Sequence, residues 1–299
     1  RHHLAGRVLA PAELELDLGT RSWLPGTDGP QRGRVLLVPE DVAGLAALSG
    51  QHGGAWVLHG RTRPRFDRDG DEFAEVLGRF LDAEGILGTL APSRSDLVMT
   101  SGDSRISWDA LPSRVQVNLR RDQANQILGW LEEGQEVVVE IDLDQEFVAG
   151  PIPLFNVIAE IPGAELPEEL VIFGGHIDSW DGATGTNDNG TGCATTLEAA
   201  RLIMKALAET GQRPRRTIRF MLWSGEEQGL LGSRAYIEQH PEENERISGV
   251  LVHDGGTNSL SGLVVTPSMM PMLREAFAPI AALVEGLEDP EFRWELREV

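Results

Sequence analysis

The chain has 299 residues, 41% of them hydrophobic, and a formal net charge of −21. This length suits one large domain or two ordinary ones, and the acidic balance argues against nucleic acid and anionic membranes as partners, because both repel a negative surface. The single cysteine, Cys193, excludes an internal disulfide and a cysteine-rich zinc module. No apolar run reaches the length of a membrane span, and Arg1-His2-His3-Leu4 shows no signal peptide.

The first half of the chain predicts a small α/β module. Apolar residues at helical spacing or in strict alternation predict strands at 33–39, 54–58 and 136–143, and helices at 42–48, 72–81 and 122–131. The acidic loop at 67–71 lacks the twelve-residue spacing of an EF-hand, so we predict a solvated turn there.

The pattern changes at a Gly/Pro hinge, residues 148–153. After it, the chain predicts strands at 156–161, 170–174, 216–223 and 247–252, and helices at 191–208 and 230–239. Such alternation favours an α/β fold in which a mostly parallel sheet carries helices on both faces. Sheets of this kind bind ligands at the carboxyl ends of their strands.

Four polar clusters lie at or just after apolar runs of this second half. They are His176 with Asp178, then Asp188, then the carboxylate pair 226–227, and finally Asp254. Imidazole and carboxylates are good zinc ligands, and together these groups can build a site for two metal ions. The combination points to hydrolysis by a metal-activated water.

Each cluster alone also has an ordinary explanation. His176 could be a buried structural histidine, and Asp188 could be turn chemistry before a helix that Asn189 or Thr191 caps. The pair 226–227 could simply begin a helix, where acidic side chains favour the dipole. The order of the clusters, one per strand end, favours the metal site over these alternatives.

The residue types suggest a division of roles. Asp178 could hold the ring of His176 by a hydrogen bond, and the two oxygens of Asp188 could bridge two metals. In the last cluster, Asp254 is a better ligand candidate than its neighbour His253. Glu227 would bind a metal, while Glu226 would take the proton from the water.

Residues 175–181 and 187–190, together with 216–229, resemble the di-zinc exopeptidases of the plasma glutamate carboxypeptidase (carboxypeptidase Q) type. The resemblance is specific over about residues 154–260. The first half resembles, more weakly, the protease-associated insert that such enzymes carry. The resemblance thus implies a protease-associated-like cap domain at 1–150 and a zinc peptidase domain at 151–299.

The same resemblance implies the ligand set. His176 and Asp254 would hold one zinc, Glu227 would hold the other, Asp188 would bridge them, and Glu226 would be the base. The family's second zinc also takes a histidine from a later loop, but the last histidine here is His253. With a strand-like stretch at 292–296 near the end, we expect that the peptidase domain lacks its C-terminal part; a natural loss of the second metal site is the competing idea.

We therefore expect a zinc-dependent aminopeptidase or dipeptidase that acts on peptides or dipeptides. The resemblance implies a secreted or periplasmic protein and leaves its oligomeric state open, a homodimer being one option. Two alternatives on the same scaffold are a catalytically silent, receptor-like binding module and a glutaminyl cyclase. Serine or cysteine hydrolysis is disfavoured, because Cys193 has no evident histidine partner and no Gly-x-Ser-x-Gly motif occurs.

Overall fold

The computed structural model describes residues 3–39, 41–47, 49–60, 70–103, 105–257, 262–287 and 294–298. Most of the predicted acidic turn at 67–71, and the first two residues of the strand-like stretch at 292–296, lie outside them. The chain forms two compact units. The first consists of Arg1–Leu154, Ser179–Thr184 and Gly225–Leu231; the second consists of Phe155–Asp178, Gly185–Ser224 and Gly232–Val299.

The first unit is a mixed α/β layer structure. Its strands are β1 (His3–Ala10), β2 (Leu14–Glu15), β3 (Leu18–Thr20), β4 (Gln31–Leu37), β5 (Trp56–Leu58), β6 (Gly88–Pro92), β7 (Gln116–Leu119) and β8 (Val138–Asp144). Its helices are α1 (Val42–Ala47), α2 (Gly70–Glu84) and α3 (Arg121–Glu132), with a 3-10 turn at Trp108–Ala110. The strands form one sheet in the order β2-β1-β8-β4-β5-β6-β7-β3.

Side-chain alternation along the strands gives this sheet two buried faces. On one face, Trp56 of β5 and Ile141 of β8 pack with Ile127 of α3 in the largest apolar cluster. On the other face, Val57 packs with apolar residues of α1 and α2, among them Leu81. Helices therefore cover both faces of the eight-stranded sheet.

The second unit is also mixed α/β. Its strands are β9 (Val157–Ile161), β10 (Leu166–His176), β11 (Arg216–Trp223), β12 (Ile247–Val252), β13 (Gly262–Val265) and β14 (Glu295–Glu298). Its helices are α4 (Gly190–Thr210), α5 (Leu231–Gln239), α6 (Met270–Ala276) and α7 (Ala278–Glu285), with a 3-10 turn at Pro241–Arg246.

Strands β9 to β12 form a four-stranded sheet in the order β12-β10-β11-β9. Strand β10 runs parallel to both β11 and β12, and β9 is antiparallel to β11. Tyr236 of α5 packs with Ile172 and Met221 on one face. On the other face, α4 comes close enough that a Cβ on Gly175 would lie 3.0 Å from the backbone carbon of Gly192. The predicted α/β class is therefore confirmed, and this sheet is mostly parallel with helices on both faces.

The register of the parallel strands decides where the polar clusters lie. His176, the last residue of β10, pairs with Trp223, the last residue of β11. Gly174 of β10 pairs with Val252, the last residue of β12. Three strands thus end at one edge of the sheet, and the loops that leave these strands begin at that same edge.

Among the helices in the described part of the chain, none is both long enough and apolar enough to cross a membrane. The division into a protease-associated-like domain at 1–150 and a peptidase domain at 151–299 stays a prediction.

Candidate metal centre

His176 lies at the end of β10 with only 2% of its side chain exposed. Its Nδ1 lies 3.0 Å from the carbonyl oxygen of Asp178. A carbonyl can only accept, so in the neutral ring this hydrogen bond places the proton on Nδ1 and leaves the lone pair on Nε2. The ring is thereby oriented and held in the tautomer that a metal requires at Nε2.

Asp188 lies in the turn before helix α4, and its peptide bond to Asn189 is cis. Its Oδ1 is 3.0 Å from Nε2 of His176, and 63% of its side chain is exposed. The next residue, Asn189, caps the helix by accepting a 2.9 Å hydrogen bond from the N–H of Gly192. The turn thus serves both purposes, since Asn189 is the cap and Asp188 is left to face the histidine.

Asp254 follows β12 by two residues, at the edge where β10 also ends. Its Oδ1 is 3.2 Å from Nε2 of His176, and 43% of its side chain is exposed. Two carboxylates from separate loops therefore approach the same imidazole nitrogen.

Ligand atoms of His176, Asp188 and Asp254 all lie within 4.8 Å of one another, as a metal-binding group requires. Within the described residues, the ion pairs of Asp188 and Asp254 are with His176 alone. Two neighbouring carboxylates repel each other, and a cation bound between them would remove this repulsion. One imidazole nitrogen and two carboxylate oxygens are ligands that zinc accepts, so the three residues fit the metal.

Asp178 contacts the histidine in two ways. Its carbonyl oxygen accepts from Nδ1, and its own Oδ1 lies 3.5 Å from the same nitrogen. Asp178 therefore contacts the ring of His176 more closely through its backbone carbonyl than through its carboxylate.

Glu226 and Glu227 belong to the first unit, whereas the three ligands above belong to the second. They lie in the turn Gly225–Leu231, in which the N–H groups of Gly229 and Leu230 both donate to the carbonyl of Glu226 at 2.8 Å. Helix α5 begins only at Leu231, so neither glutamate stands in its first turn. The structure therefore does not support the alternative that Glu226 and Glu227 simply begin a helix.

Asn189 is the residue whose importance the sequence did not reveal. Besides capping α4, it donates from Nδ2 to the carbonyl oxygen of His253 at 2.9 Å. Its side chain is buried, with 2% exposed. The asparagine was visible in the sequence as a helix cap, but its second partner is 64 residues away.

Cys193 lies beside the centre without the environment of a nucleophile. Its thiol contacts the carbonyl oxygen of His176 at 3.1 Å. Burial, reinforced by the negative charge of Asp178, raises the pKa of the Cys193 thiol. A raised pKa disfavours the reactive thiolate, consistent with the expectation against cysteine hydrolysis.

The second half of the chain is similar to known peptidases. Residues 156–285 match the family model described as Peptidase family M28. The chain is 43% identical to carboxypeptidase Q of Bos taurus over 114 residues, and 32% identical to carboxypeptidase Q of Xenopus laevis over 185 residues. A crystal structure of a peptidase M28 precursor from Shewanella amazonensis matches 100% of this chain and 66% of its own, with a TM-score of 0.72 at 23% identity.

These matches support a relationship to metallo-exopeptidases. Residues 156–285 are therefore similar to peptidase family M28, and the resemblance to the carboxypeptidase Q type is confirmed. The matched stretches cover 38% and 61% of this chain but only 23% and 38% of the Bos taurus and Xenopus laevis relatives. The likeness to the Shewanella structure, at its low identity, concerns the fold.

Proposed function

We propose that this chain carries the metal site of a zinc-dependent exopeptidase, an aminopeptidase or dipeptidase. The observation that carries the proposal is the convergence of His176, Asp188 and Asp254 on one point at the sheet edge. The match of residues 156–285 to peptidase family M28 supports the same activity.

Three of the proposed zinc ligands are held by the second unit. His176 would bind the first zinc ion through Nε2, because its Nδ1 is engaged by Asp178. Asp254 would bind the same ion through its carboxylate. Asp188 has a second carboxylate oxygen and would serve a second ion, to which Glu227 would also contribute. Zinc, when bound, supplies a Lewis acid that polarises the scissile carbonyl and lowers the pKa of a water.

The proton transfers would fall to the chain itself. Glu226 would accept a proton from the attacking water and pass it to the nitrogen of the leaving amine. Asp178 would act on the reaction by keeping the imidazole of His176 in one orientation. The local excess of carboxylates would also attract the free amino group of a peptide substrate, which favours cleavage near an amino terminus.

The substrates in this proposal are peptides or dipeptides. Following the resemblance to the carboxypeptidase Q type, we place the protein outside the cytoplasm, as a secreted or periplasmic enzyme. We propose no oligomeric state.

Zinc binding to the 299-residue chain tests the proposal most directly. Equilibrium dialysis should show that the chain binds zinc and that Asp254→Asn lowers the zinc affinity. Because Asp254 is a proposed ligand, the loss should exceed the roughly 10–100-fold that follows from removing a residue that only hydrogen-bonds to a ligand. Glu245→Gln, a change at an exposed glutamate of the same unit, is the matched control and should bind zinc as the unchanged chain does. Equal zinc affinity in all three proteins would overturn the metal site.

Activity forms the second arm of the test. Dipeptides and peptides with an amino-terminal glutamine should be compared as substrates, since release of an amino acid marks a peptidase and ring closure marks a cyclase. Glu226→Gln should lower kcat by about two to four powers of ten while zinc remains bound. A zinc-loaded Glu226→Gln variant with normal turnover would rule out this base.

A further inference from the structure

One side-chain hydrogen bond ties the glutamate turn to a distant part of the first unit. The indole Nε1–H of Trp23 donates to Oε1 of Gln228 at 3.0 Å, across 205 residues of sequence. Gln228 directly follows Glu226 and Glu227. A constraint on Gln228 is therefore a constraint on the turn that carries both glutamates.

The backbone on both sides of this hydrogen bond is strained. Across the described ranges, two residues other than glycine have a left-handed φ: Trp23 at 64° and Leu230 at 62°. One is the donor itself, and the other lies two residues beyond the acceptor. A bulky side chain rarely adopts this conformation, and such strain persists where the surroundings enforce it and clusters at functional sites.

The donor side is firmly braced. Gln145, which follows strand β8, donates from Nε2 to the carbonyls of Leu24 and Pro25 at 3.0 and 2.9 Å. Its Oε1 accepts a 2.9 Å hydrogen bond from the hydroxyl of Thr20. The end of a central strand of the eight-stranded sheet thus fixes the chain on both sides of Trp23.

The acceptor side is a turn with its own backbone hydrogen bonds. Its backbone hydrogen bonds run from Gly229 and Leu230 to Glu226, and from Leu231 to Gly225 at 2.9 Å. Gly225 and Gly229 have φ of 71° and 105°, which only glycine adopts without strain. These bonds shape the turn internally, whereas the Gln228 amide attaches it to the braced segment around Trp23.

We propose that Trp23 is a positioning residue for the proposed exopeptidase reaction, acting through Gln228 on the turn that presents Glu226 and Glu227. The indole N–H holds the turn in its strained form, so that the base and the proposed ligand keep one arrangement. The catalytic meaning of this role rests on the proposed function; the mechanical link does not.

The first test measures the turn itself in the full chain. Trp23→Phe keeps an aromatic ring but removes the N–H, and hydrogen exchange of the amides of residues 229–231 should become roughly five- to tenfold faster. Trp108→Phe, at an exposed tryptophan of the same unit, is the matched control. Exchange at 229–231 that is equal in the two variants would overturn the proposal.

The second test asks whether the link acts on the chemistry. Trp23→Phe should lower kcat more than it raises KM, and should shift the limb of the kcat against pH profile that reports the base. Gln228→Glu retains an acceptor for the indole and should keep the slow exchange of the unchanged chain, whereas Gln228→Leu should behave like Trp23→Phe. The double variant Trp23→Phe/Gln228→Leu should show no faster exchange and no lower kcat than Gln228→Leu alone. Additive effects would show that the two residues act separately and would overturn the proposal.

The two arms separate the proposals. A chain that binds no zinc and cleaves no peptide, yet shows faster exchange in Trp23→Phe, would refute the proposed function and support the link. An active zinc enzyme in which Trp23→Phe leaves both the exchange and the pH profile unchanged would support the function and refute the link.

Discussion

Asn189 donates a 2.9 Å hydrogen bond to the carbonyl oxygen of His253, and each of these residues is the direct neighbour of a carboxylate in the metal centre. Asp188 precedes the donor and Asp254 follows the acceptor. A single buried amide therefore fixes the distance between two loops that approach the imidazole of His176 from different elements.

We first predict that Asn189→Ala loosens both loops. The change removes a helix cap, worth about 0.5–2 kcal/mol, and a hydrogen bond worth about 1 kcal/mol. Zinc affinity should fall by roughly 10–100-fold, the loss typical when a residue that positions a metal ligand is removed. Calorimetry and zinc titration measure the two effects.

Asn189→Asp separates the two roles of the side chain. It keeps the acceptor for the Gly192 N–H but loses the donor to His253, so the helix should stay capped while zinc affinity still drops. Zinc affinity equal to that of the unchanged chain in both variants would contradict this prediction.

A second prediction concerns the close approach of helix α4. A Cβ on Gly192 would lie 2.2 Å from the carbonyl oxygen of His253 and 2.5 Å from the Asn189 amide. Gly192→Ala should therefore destabilise the protein by about 1–3 kcal/mol, because the loop must move to make room. Denaturant unfolding with a probe in the second unit measures the loss.

Gly129→Ala is the matched control for that substitution. Gly129 lies within helix α3, and nothing stands within 4 Å of the added carbon. It should stabilise the first unit by about 0.5–1 kcal/mol, since alanine suits a helix better than glycine. A stabilising Gly192→Ala would show that the loop of His253 yields to the added carbon at little cost.

Third, zinc should raise the thermal stability of the chain. A ligand that binds only the folded state at 100 times its Kd adds about 2.7 kcal/mol to the free energy of unfolding. A chelator should reverse the rise in Tm, and Asp188→Asn should reduce it. Unchanged melting curves across a zinc titration would speak against a preformed centre.

The fourth prediction concerns an ion pair beneath the four-stranded sheet. Arg219 donates to Glu243 at 2.6 Å, and the Tyr236 hydroxyl donates to the same carboxylate. These hydrogen bonds, that of Arg219 foremost, hold the pKa of Glu243 below its ordinary value of 4.5, although burial opposes them. The folded state thus favours the charged form.

This lowered pKa fixes the sign of the pH effect. The stabilisation from Glu243 is present above its unfolded pKa and is lost as the pH falls through the lower folded pKa. Glu243→Gln should therefore lose less stability than the unchanged chain between about pH 5 and pH 3. Glu245→Gln, at an exposed side chain of the same 3-10 turn, is the control, and its stability should follow that of the unchanged chain across this pH range.

The sequence predicted well the elements whose pattern is local. Strand β11 matches its predicted range of 216–223, strand β12 its range of 247–252, and helix α4 extends the predicted 191–208 by a few residues. Strand β1 was missed, because its eight residues mix glycine, arginine and apolar side chains without clear alternation. Its pairing with β8, where Ala10 lies opposite Val138 and His3 opposite Asp144, is what makes it a strand.

The candidate site divides in the same way. The proximity of His176 and Asp254 was predictable, because strand ends of a parallel sheet meet at one edge. Their role as metal ligands, with Asp188 from the turn before α4, stays a prediction. The hydrogen bonds from Asn189 to His253 and from Trp23 to Gln228 were not predictable, because their partners lie 64 and 205 residues apart, respectively. Local periodicity contains no information on such pairs.

The first unit is assembled from three separate stretches of chain, and this limits how the protein can be taken apart. Gly102 packs against the ring of Trp180, so closely that an added Cβ would overlap that ring. Replacing residues 1–154 with a homologous module in a chimera would remove Trp23 and Gly102 but leave their partners Gln228 and Trp180 behind. A working chimera would need to inherit the segments 179–184 and 225–231 from the same parent. The same restriction applies when evolution transfers this module between enzymes. We therefore expect residues 1–154 to change in sequence together with the segments 179–184 and 225–231.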